Sequence, residues 1–497
     1  MPGHTGMTFP QQEAHLRTIF VTLDSLNRHY LNCYNDDAWV RTPNIDRLAQ
    51  RGLVFDNHYC GSMPCMPARR EMYTGRINFL ETPWSPIQPW DDCLQPELWR
   101  QKDVYSHMIT DHYHYFHSGG ECYHTRFNSW EFLRGQEGDV WHPLVDNPEI
   151  PKYEGKNRRA YWVNREFMDL DNDLDYSTPQ CFERAIDFLE HNHQADNWNL
   201  HVECFDPHEP FACPEKYRDM YEDTWNDFHF DWPNYEPVEQ DEAAVEHIRK
   251  CYAGTLTMAD VWLGKLLDKM DELDAWKNTV VILTTDHGHL LGEHGYWAKN
   301  YMFDFKELVH IPMIAVTPEQ NTGRRSGLTT TIDLMPTFMD LHEGELPPHV
   351  HGESIRHLFA NDEDHHDAIL YGYFGKDINL TDGQYTYCRQ ALPDSTLYNH
   401  LANACNFSDF EKRDTLKRAE QGVFLGSAHD IPHYRIEAKS KWHHNAPDFN
   451  PIYDITEDPT QQHPIRDEKL EAQLAGKMKE LLDRYEAPEC QYPRVGL

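Results

Sequence analysis

The chain has 497 residues, with 82 acidic side chains against 45 basic ones, a formal charge of −37. That surplus excludes a nucleic-acid-binding function, because no basic run offers phosphates a footprint; a locally positive pocket could still hold one small anion. A hydrophobic share of 39% and an aromatic share of 13% belong to a folded globular protein, long enough for a large core and a second, smaller domain.

Residues 1–20 carry neither a basic n-region nor an apolar h-region, so the chain reads as cytoplasmic. Nowhere does an apolar run reach the length of a membrane span. The 12 cysteines follow no framework spacing, which suits reduced thiols. Thr18–Leu23 (TIFVTL) is a short β-rich run ending at Asp24, followed by a helix over Pro43–Arg51. Further buried-strand runs fall at Val104–Thr110, Leu200–Phe205, Thr279–Thr285 and Ile311–Val316. Helical patterns at Thr178–His193, Glu242–Leu273 and Thr331–Leu341 alternate with them. Such alternation predicts an α/β fold, a large and mostly parallel sheet covered by helices on both faces. Ligands in such sheets gather at the carboxyl ends of strands. Beyond Asp367 the texture changes to short strands and turns (AILYGYF, DGQYTYCRQ, IYDITEDP), then a helix over Glu468–Tyr485. The expected division is a catalytic domain over 1–367 and a smaller α+β domain with an antiparallel sheet over 368–497.

Three segments carry chemistry. Asp24 at a strand end is a hard ligand for a divalent cation, or else a helix N-cap. Thr285 to Gly295 (TDHGHLLGEHG), leading to Lys299, places adjacent Asp286 and His287 at the end of another strand. Three histidines and two acids make a poor core segment, and oxygen and nitrogen donors there can share one ion. Phe205–Phe211 (FDPHEPF) holds His208 in a loop stiffened by prolines. Trp130–Glu137 reads equally as a substrate-facing loop or a packing segment.

Cys65-Met66-Pro67-Ala68-Arg69, followed by Thr74-Gly75-Arg76, matches the maturation signal of type I sulfatases. With TPNIDRLAQRG before it, and DPHEPF, DHGHLLGEHGYWAK, IPMIAV and TIDLMPT after it in the same order, the chain resembles the sulfatase branch of the alkaline-phosphatase superfamily over nearly its whole length. The resemblance implies an alkaline-phosphatase-like fold and oxidation of Cys65 to formylglycine by a maturation enzyme. It implies that Arg69 sets a fixed positive charge beside the hydrate, and that Asp24, Cys65, Asp286 and His287 hold one divalent metal. Ca²⁺ is the first expectation, and the imidazole admits Mn²⁺ or Zn²⁺. Lys299 and His208 are expected at the sulfate and its bridging oxygen, one of them protonating the leaving alcohol. By the same resemblance His114 is the base for the second hydroxyl of the hydrate, and His112 a sulfate contact where the family usually has Lys. The chain also departs from the family in carrying Ser25 where a second acid is common, and His287 where Asn is usual. The function implied is hydrolysis of a sulfate ester on a small saccharide, exo-acting. The alternative is a phosphonate monoester hydrolase or phosphodiesterase of the same superfamily. Neither the sugar nor the oligomeric state follows from the sequence.

Overall fold

The computed structural model describes residues 16–497 apart from 406, 408, 409, 442 and 444. The leader reading therefore lies, through residue 15, outside the described residues. Eight strands form the main sheet: β1 (Arg17–Leu23), β2 (Leu53–Phe55), β3 (Tyr105–Thr110), β4 (Ser129–Phe132), β5 (Trp198–Cys204), β6 (Thr279–Thr284), β7 (Met313–Val316) and β8 (Gly323–Arg325), in the order β8-β2-β7-β6-β1-β5-β3-β4. The pairings are parallel except for β7, which runs antiparallel to both β2 and β6. The sheet is mostly parallel, as expected, with one reversed strand.

Alternation along the strands feeds two cores. Ile19, Val21 and Leu23 face one cluster with α4 (Ser177–Asn192) and α5 (Glu242–Glu272), which α1 (Pro43–Arg51) joins through Ile45 and Leu48. Phe20, Val280 and Ile282 face the other, with α2 (Cys65–Thr74), α3 (Leu94–Lys102) and α6 (Leu334–Leu341). Each buried Leu, Ile or Phe contributes about 1.5–3 kcal/mol, and a sheet covered on both faces leaves only its strand ends open for chemistry.

The register decides what meets there. Leu23 pairs with Cys204 and Thr22 with Thr284, so β1, β5 and β6 end at one level. Asp24 and Asp286, 262 residues apart in sequence, thus leave the sheet side by side.

A second, five-stranded sheet runs in the order Ile452–Asp454, Tyr385–Arg389, Ile378–Thr381, Ile369–Tyr373, Ser62–Met63. Its last strand comes from the N-terminal part: Ser62 and Met63 pair in parallel with Gly372 and Tyr373, just before Cys65. The amphipathic helix α7 (Glu468–Arg484) covers this sheet, and its core includes Ile77, Phe79, Leu80 and Ile332. A three-stranded antiparallel sheet, Leu397–Leu401, His433–Ala438 and Glu420–Gly422, has no counterpart in the sequence reading. All 12 cysteines are unpaired. Among the described residues no helix is long and apolar enough to cross a membrane.

Candidate active site

Cys65 opens α2, so its side chain stands where unpaired amides and the helix dipole favour an anion. Glu71, one and a half turns on, accepts from the amides of Gly61 (2.9 Å) and Ser62 (2.6 Å) and fixes the lead-in. Gly75 ends α2 in the left-handed region (φ 64°), its N–H donating to Glu71 O at 2.7 Å. A Cβ there would come within 2.9 Å of Val350, which accounts for the glycine of TGR.

Cys65 Sγ lies 3.4 Å from His287 Nε2 and 3.5 Å from Lys299 Nζ. Burial, then the charge of Asp24, pushes the thiol well above its ordinary range, so Cys65 as it stands is no thiolate nucleophile.

Ligand atoms of Asp24, Cys65, Asp286 and His287 all lie within 4.8 Å of one another, and all four residues are buried. His287 is held for ligation: its Nδ1 donates to the carbonyl of Gly288 at 2.8 Å, leaving the Nε2 lone pair facing the cluster. Burial brings this imidazole down to about 4, so it is neutral at pH 7. Gly288 has no room for a side chain, since a Cβ would sit 1.9 Å from the carbonyl of Glu307. Asp286 Oδ1 accepts from the amides of Ser25 (3.1 Å) and His287 (2.9 Å). Burial and the neighbouring Asp286 push Asp24 upward, whereas His287, Arg69 and Lys299 hold Asp286 down against its own burial. Two enclosed carboxylates, one neutral imidazole and the position of residue 65 make a donor set that fits one divalent cation.

Ser25, standing where the family commonly has a second acid, sits between the side chains of Asp24 and Lys299. Its hydroxyl donates to Asp24 Oδ1 at 2.9 Å and accepts from Lys299 at 3.2 Å, linking the two, with its backbone in the left-handed region (φ 63°). Arg69, one turn after Cys65, donates to Asp24 (2.8 Å), Asp286 (2.6 Å) and the Cys65 carbonyl (3.1 Å), and through Nε to Glu203. Burial alone would lower its proton affinity, but these three carboxylates outweigh it.

Lys299 is enclosed between Ala298 (φ 64°) and Asn300 (φ 89°), two non-glycine residues in left-handed backbone that aim its ammonium at the cluster, 3.1 Å from His287 Nε2. Its charge is held up against burial by the carboxylates of Asp24 and Glu209. His208 Nδ1 donates to the Glu209 carbonyl at 2.6 Å, so its Nε2 is free. Burial drives the resting ring well below the usual histidine range.

Cys65, His114, His208 and Lys299 line one cavity of about 540 Å³. Neither ring nitrogen of His114 is hydrogen-bonded, although Nε2 is 3.4 Å from Glu137. His112 is fully enclosed instead, stacked on Phe205 at 4.9 Å with both ring nitrogens unbonded. The segment left open at 130–137 divides: Ser129–Phe132 is an edge strand with Trp130 exposed, whereas Glu137 lines the cavity.

Sequence reasoning passed over several residues here. Glu203 anchors Arg69, and an acid inside the apolar run Leu200–Phe205 was its signal. Glu209 accepts from Lys156 at 3.1 Å and faces His289, and its place between two prolines beside His208 could have marked it. Nothing in the sequence marked Tyr373, Lys376, Phe407 and Lys441, which reach the cavity from the C-terminal part.

A family model described as Sulfatase matches residues 17–344. The Multifunctional alkaline phosphatase superfamily protein PehA of Trinickia caryophylli is 25% identical over 401 residues, covering 67% of this chain and 74% of that protein. Human Iduronate 2-sulfatase is 26% identical over 369 residues, covering 65% and 63%. Among solved structures, BT4656 in complex with its substrate D-glucosamine-2-N,6-O-disulfate superposes with a TM-score of 0.66 at 16% identity, over 95% of this chain and 98% of that one. The Phosphonate Monoester Hydrolase of Agrobacterium radiobacter does so with 0.66 at 17%, over 95% of each. These last two likenesses establish the alkaline-phosphatase-like fold.

Proposed function

The chain belongs to the sulfatase family and is a hydrolase of sulfate esters, and we propose that its substrate is a small sulfated saccharide attacked from its end. The observation that carries this reading is the convergence of Cys65, Lys299, His208 and His114 on one cavity of about 540 Å³, above a buried cation-binding donor set. Such a volume suits one or two sugar rings. The neighbour that binds a disulfated glucosamine, and the relative named for iduronate 2-sulfate, point to the same substrate class.

Maturation of Cys65 to formylglycine would supply, as the hydrate, one hydroxyl to attack sulfur and a second to let sulfate leave. A divalent cation, Ca²⁺ in first place, held by Asp24, Asp286, His287 and residue 65, would lower the cost of negative charge at that position. The rest is done by the chain's own side chains. Arg69 fixes both carboxylates and balances their charge. Lys299, charged and desolvated, draws the anionic ester to residue 65. His208 faces the ester through Nε2; an arriving anion raises its proton affinity, opposing burial, so the proton for the leaving alcohol enters with the substrate. His114, neutral and unbonded, is the base for the second hydroxyl. His112, expected as a sulfate contact, does not line the cavity and backs this array from behind His114, its ring 5.0 Å from that of His114.

We place the catalytic domain at 1–367 and the smaller domain at 368–497, the chain in the cytoplasm, and a formylglycine-generating enzyme as its maturation partner. The rival reading, phosphonate monoester or phosphodiester hydrolysis, draws on His287 and on the phosphonate hydrolase neighbour. Rates of matured protein on paired aryl sulfate and aryl phosphonate substrates separate the two. Faster sulfate turnover supports the proposal, and phosphonate turnover ahead by orders of magnitude overturns it.

A further inference from the structure

The charge of the cavity runs against that of the whole chain. Among the described residues five basic side chains line it, Lys156, Arg158, Lys299, Lys376 and Lys441, against one carboxylate, that of Glu137. Three of the five are engaged. Lys156 pairs with Glu209 at 3.1 Å, Arg158 with Glu137 at 3.1 Å, and Lys299 is bound into the reaction centre. Lys376 and Lys441 differ. Lys376 is 2% exposed, yet its ammonium has only a 3.4 Å bond to the carbonyl of Met302 and the face of Tyr373 at 4.4 Å. Neither of the two acids nearby forms an ion pair with it: Asp304 accepts from Asn379 through Oδ2 at 2.9 Å and keeps a buried, unbonded Oδ1, while Asp377 accepts from Cys388 at 2.8 Å and pairs with His443. Lys441 is exposed at the rim, and among the described residues no carboxylate pairs with it.

We propose that Lys376 and Lys441 form a second anion subsite, and that the preferred substrate carries, beside the scissile sulfate, another sulfate or a carboxylate. This rests on reading the cavity as a sulfate-ester site and goes beyond it by naming what else the ligand must bear. The physical case is one of desolvation: an enclosed ammonium with no carboxylate in direct contact is costly, and an incoming anion offsets that cost. Burial brings Lys376 down to about 8, and the charge of Lys441 adds to that fall against the pull of Asp304 and Asp377. The amide of Lys441 donates to the carbonyl of Gly375, the residue before Lys376, at 2.6 Å, which brings the two lysines to one wall of the cavity. Their position follows from topology. The pairing of Ser62–Met63 with Gly372–Tyr373 ties the approach to Cys65 to the turn that carries Lys376.

The test is competition against 4-nitrophenyl sulfate turnover by matched ligand pairs. N-acetylglucosamine 6-sulfate against glucosamine 2-N,6-O-disulfate reads a second sulfate, and glucose 2-sulfate against glucuronate 2-sulfate reads a carboxylate. Wild-type protein should favour the doubly anionic member of at least one pair by about tenfold, as for a charge-assisted contact. In Lys376→Met and Lys441→Glu that ratio should collapse to about twofold or less. Lys441→Glu changes an exposed residue, so a folding failure of Lys376→Met would not protect the proposal. No preference in either pair, or a preference that survives both substitutions, overturns it. Absence of aryl sulfate turnover would count instead against the function above; calorimetric titration of the same pairs into Cys65→Ala protein then reads the subsite alone.

Discussion

The floor of the cavity and its rim are built on opposite plans. At the floor, Asp24, Arg69, Asp286, His287 and Lys299 are all buried, each is held by two or more named partners, and Asp24 and Asp286 follow strands whose register is fixed by the core. At the rim, Trp84, Phe407 and Lys441 come from segments outside the main sheet; Trp84 and Phe407 meet through their rings at 4.4 Å, and Lys441 is exposed. The floor therefore specifies a reaction and the rim a substrate. Changes at the floor should alter rates by orders of magnitude, and changes at the rim mainly affinity.

The largest effect is expected at residue 65. Cys65→Ala should lower turnover by several orders of magnitude while circular dichroism stays native, because a small side chain is removed without opening a large void. Unmatured protein should be equally inactive from about pH 6 to 9. Its thiol is held protonated by burial and by Asp24, and raising the pH through the ordinary cysteine range does not free it. Rapid alkylation of Cys65 at neutral pH would contradict that.

Next comes the donor set. Asp286→Ala should remove the bound metal, read by elemental analysis, together with the activity, and chelation of the wild type should do so reversibly. A fully active, metal-free Asp286→Ala protein would break the contrast between floor and rim.

The histidines sharpen it. His114→Ala and His208→Ala should each slow turnover by about 10²–10⁴-fold, as for a lost general acid or base. His114→Ala should accumulate protein one sulfate heavier at residue 65, visible by intact-mass spectrometry, whereas His208→Ala should leave residue 65 free. Identical mass spectra and equal rates for the two variants would remove the division of labour.

Most of the floor was legible in the sequence because its residues are close in sequence or fixed to strand ends. Cys65 and Arg69 are one helical turn apart, and Asp286 and His287 are adjacent at the end of an apolar run. The resemblance to sulfatases then implied that Asp24 and Asp286 meet at one ion, in keeping with their places at strand ends. Glu203 was hidden because an isolated acid in a strand reads as a solvated position, and only the fold shows it bonded to Arg69. The reversal of β7 was equally invisible, since an apolar run carries no direction. The rim left no signal at all: Lys376 lies 311 residues from Cys65, and its place at the cavity depends on a two-residue strand, Ser62–Met63, too short to read from periodicity.

The smallest effect belongs to the rim. Trp84→Ala removes a ring stacked edge-on to His114 at 5.2 Å and to Phe407. It should raise KM for a saccharide sulfate by about tenfold or less, about 1 kcal/mol for a lost aromatic contact, and change kcat little. A loss of kcat as large as that of His114→Ala would show that the rim also positions the base.

The central claim is that the matured form of residue 65 performs the reaction, and it is tested by measuring that residue and the activity together. Preparations made with and without a formylglycine-generating enzyme are mixed in known proportions. Peptide mass spectrometry gives the matured fraction at position 65, and sulfate release is assayed on the same samples. The account predicts activity proportional to the matured fraction, with a line through the origin. Appreciable sulfate release from protein whose residue 65 is entirely cysteine would contradict it.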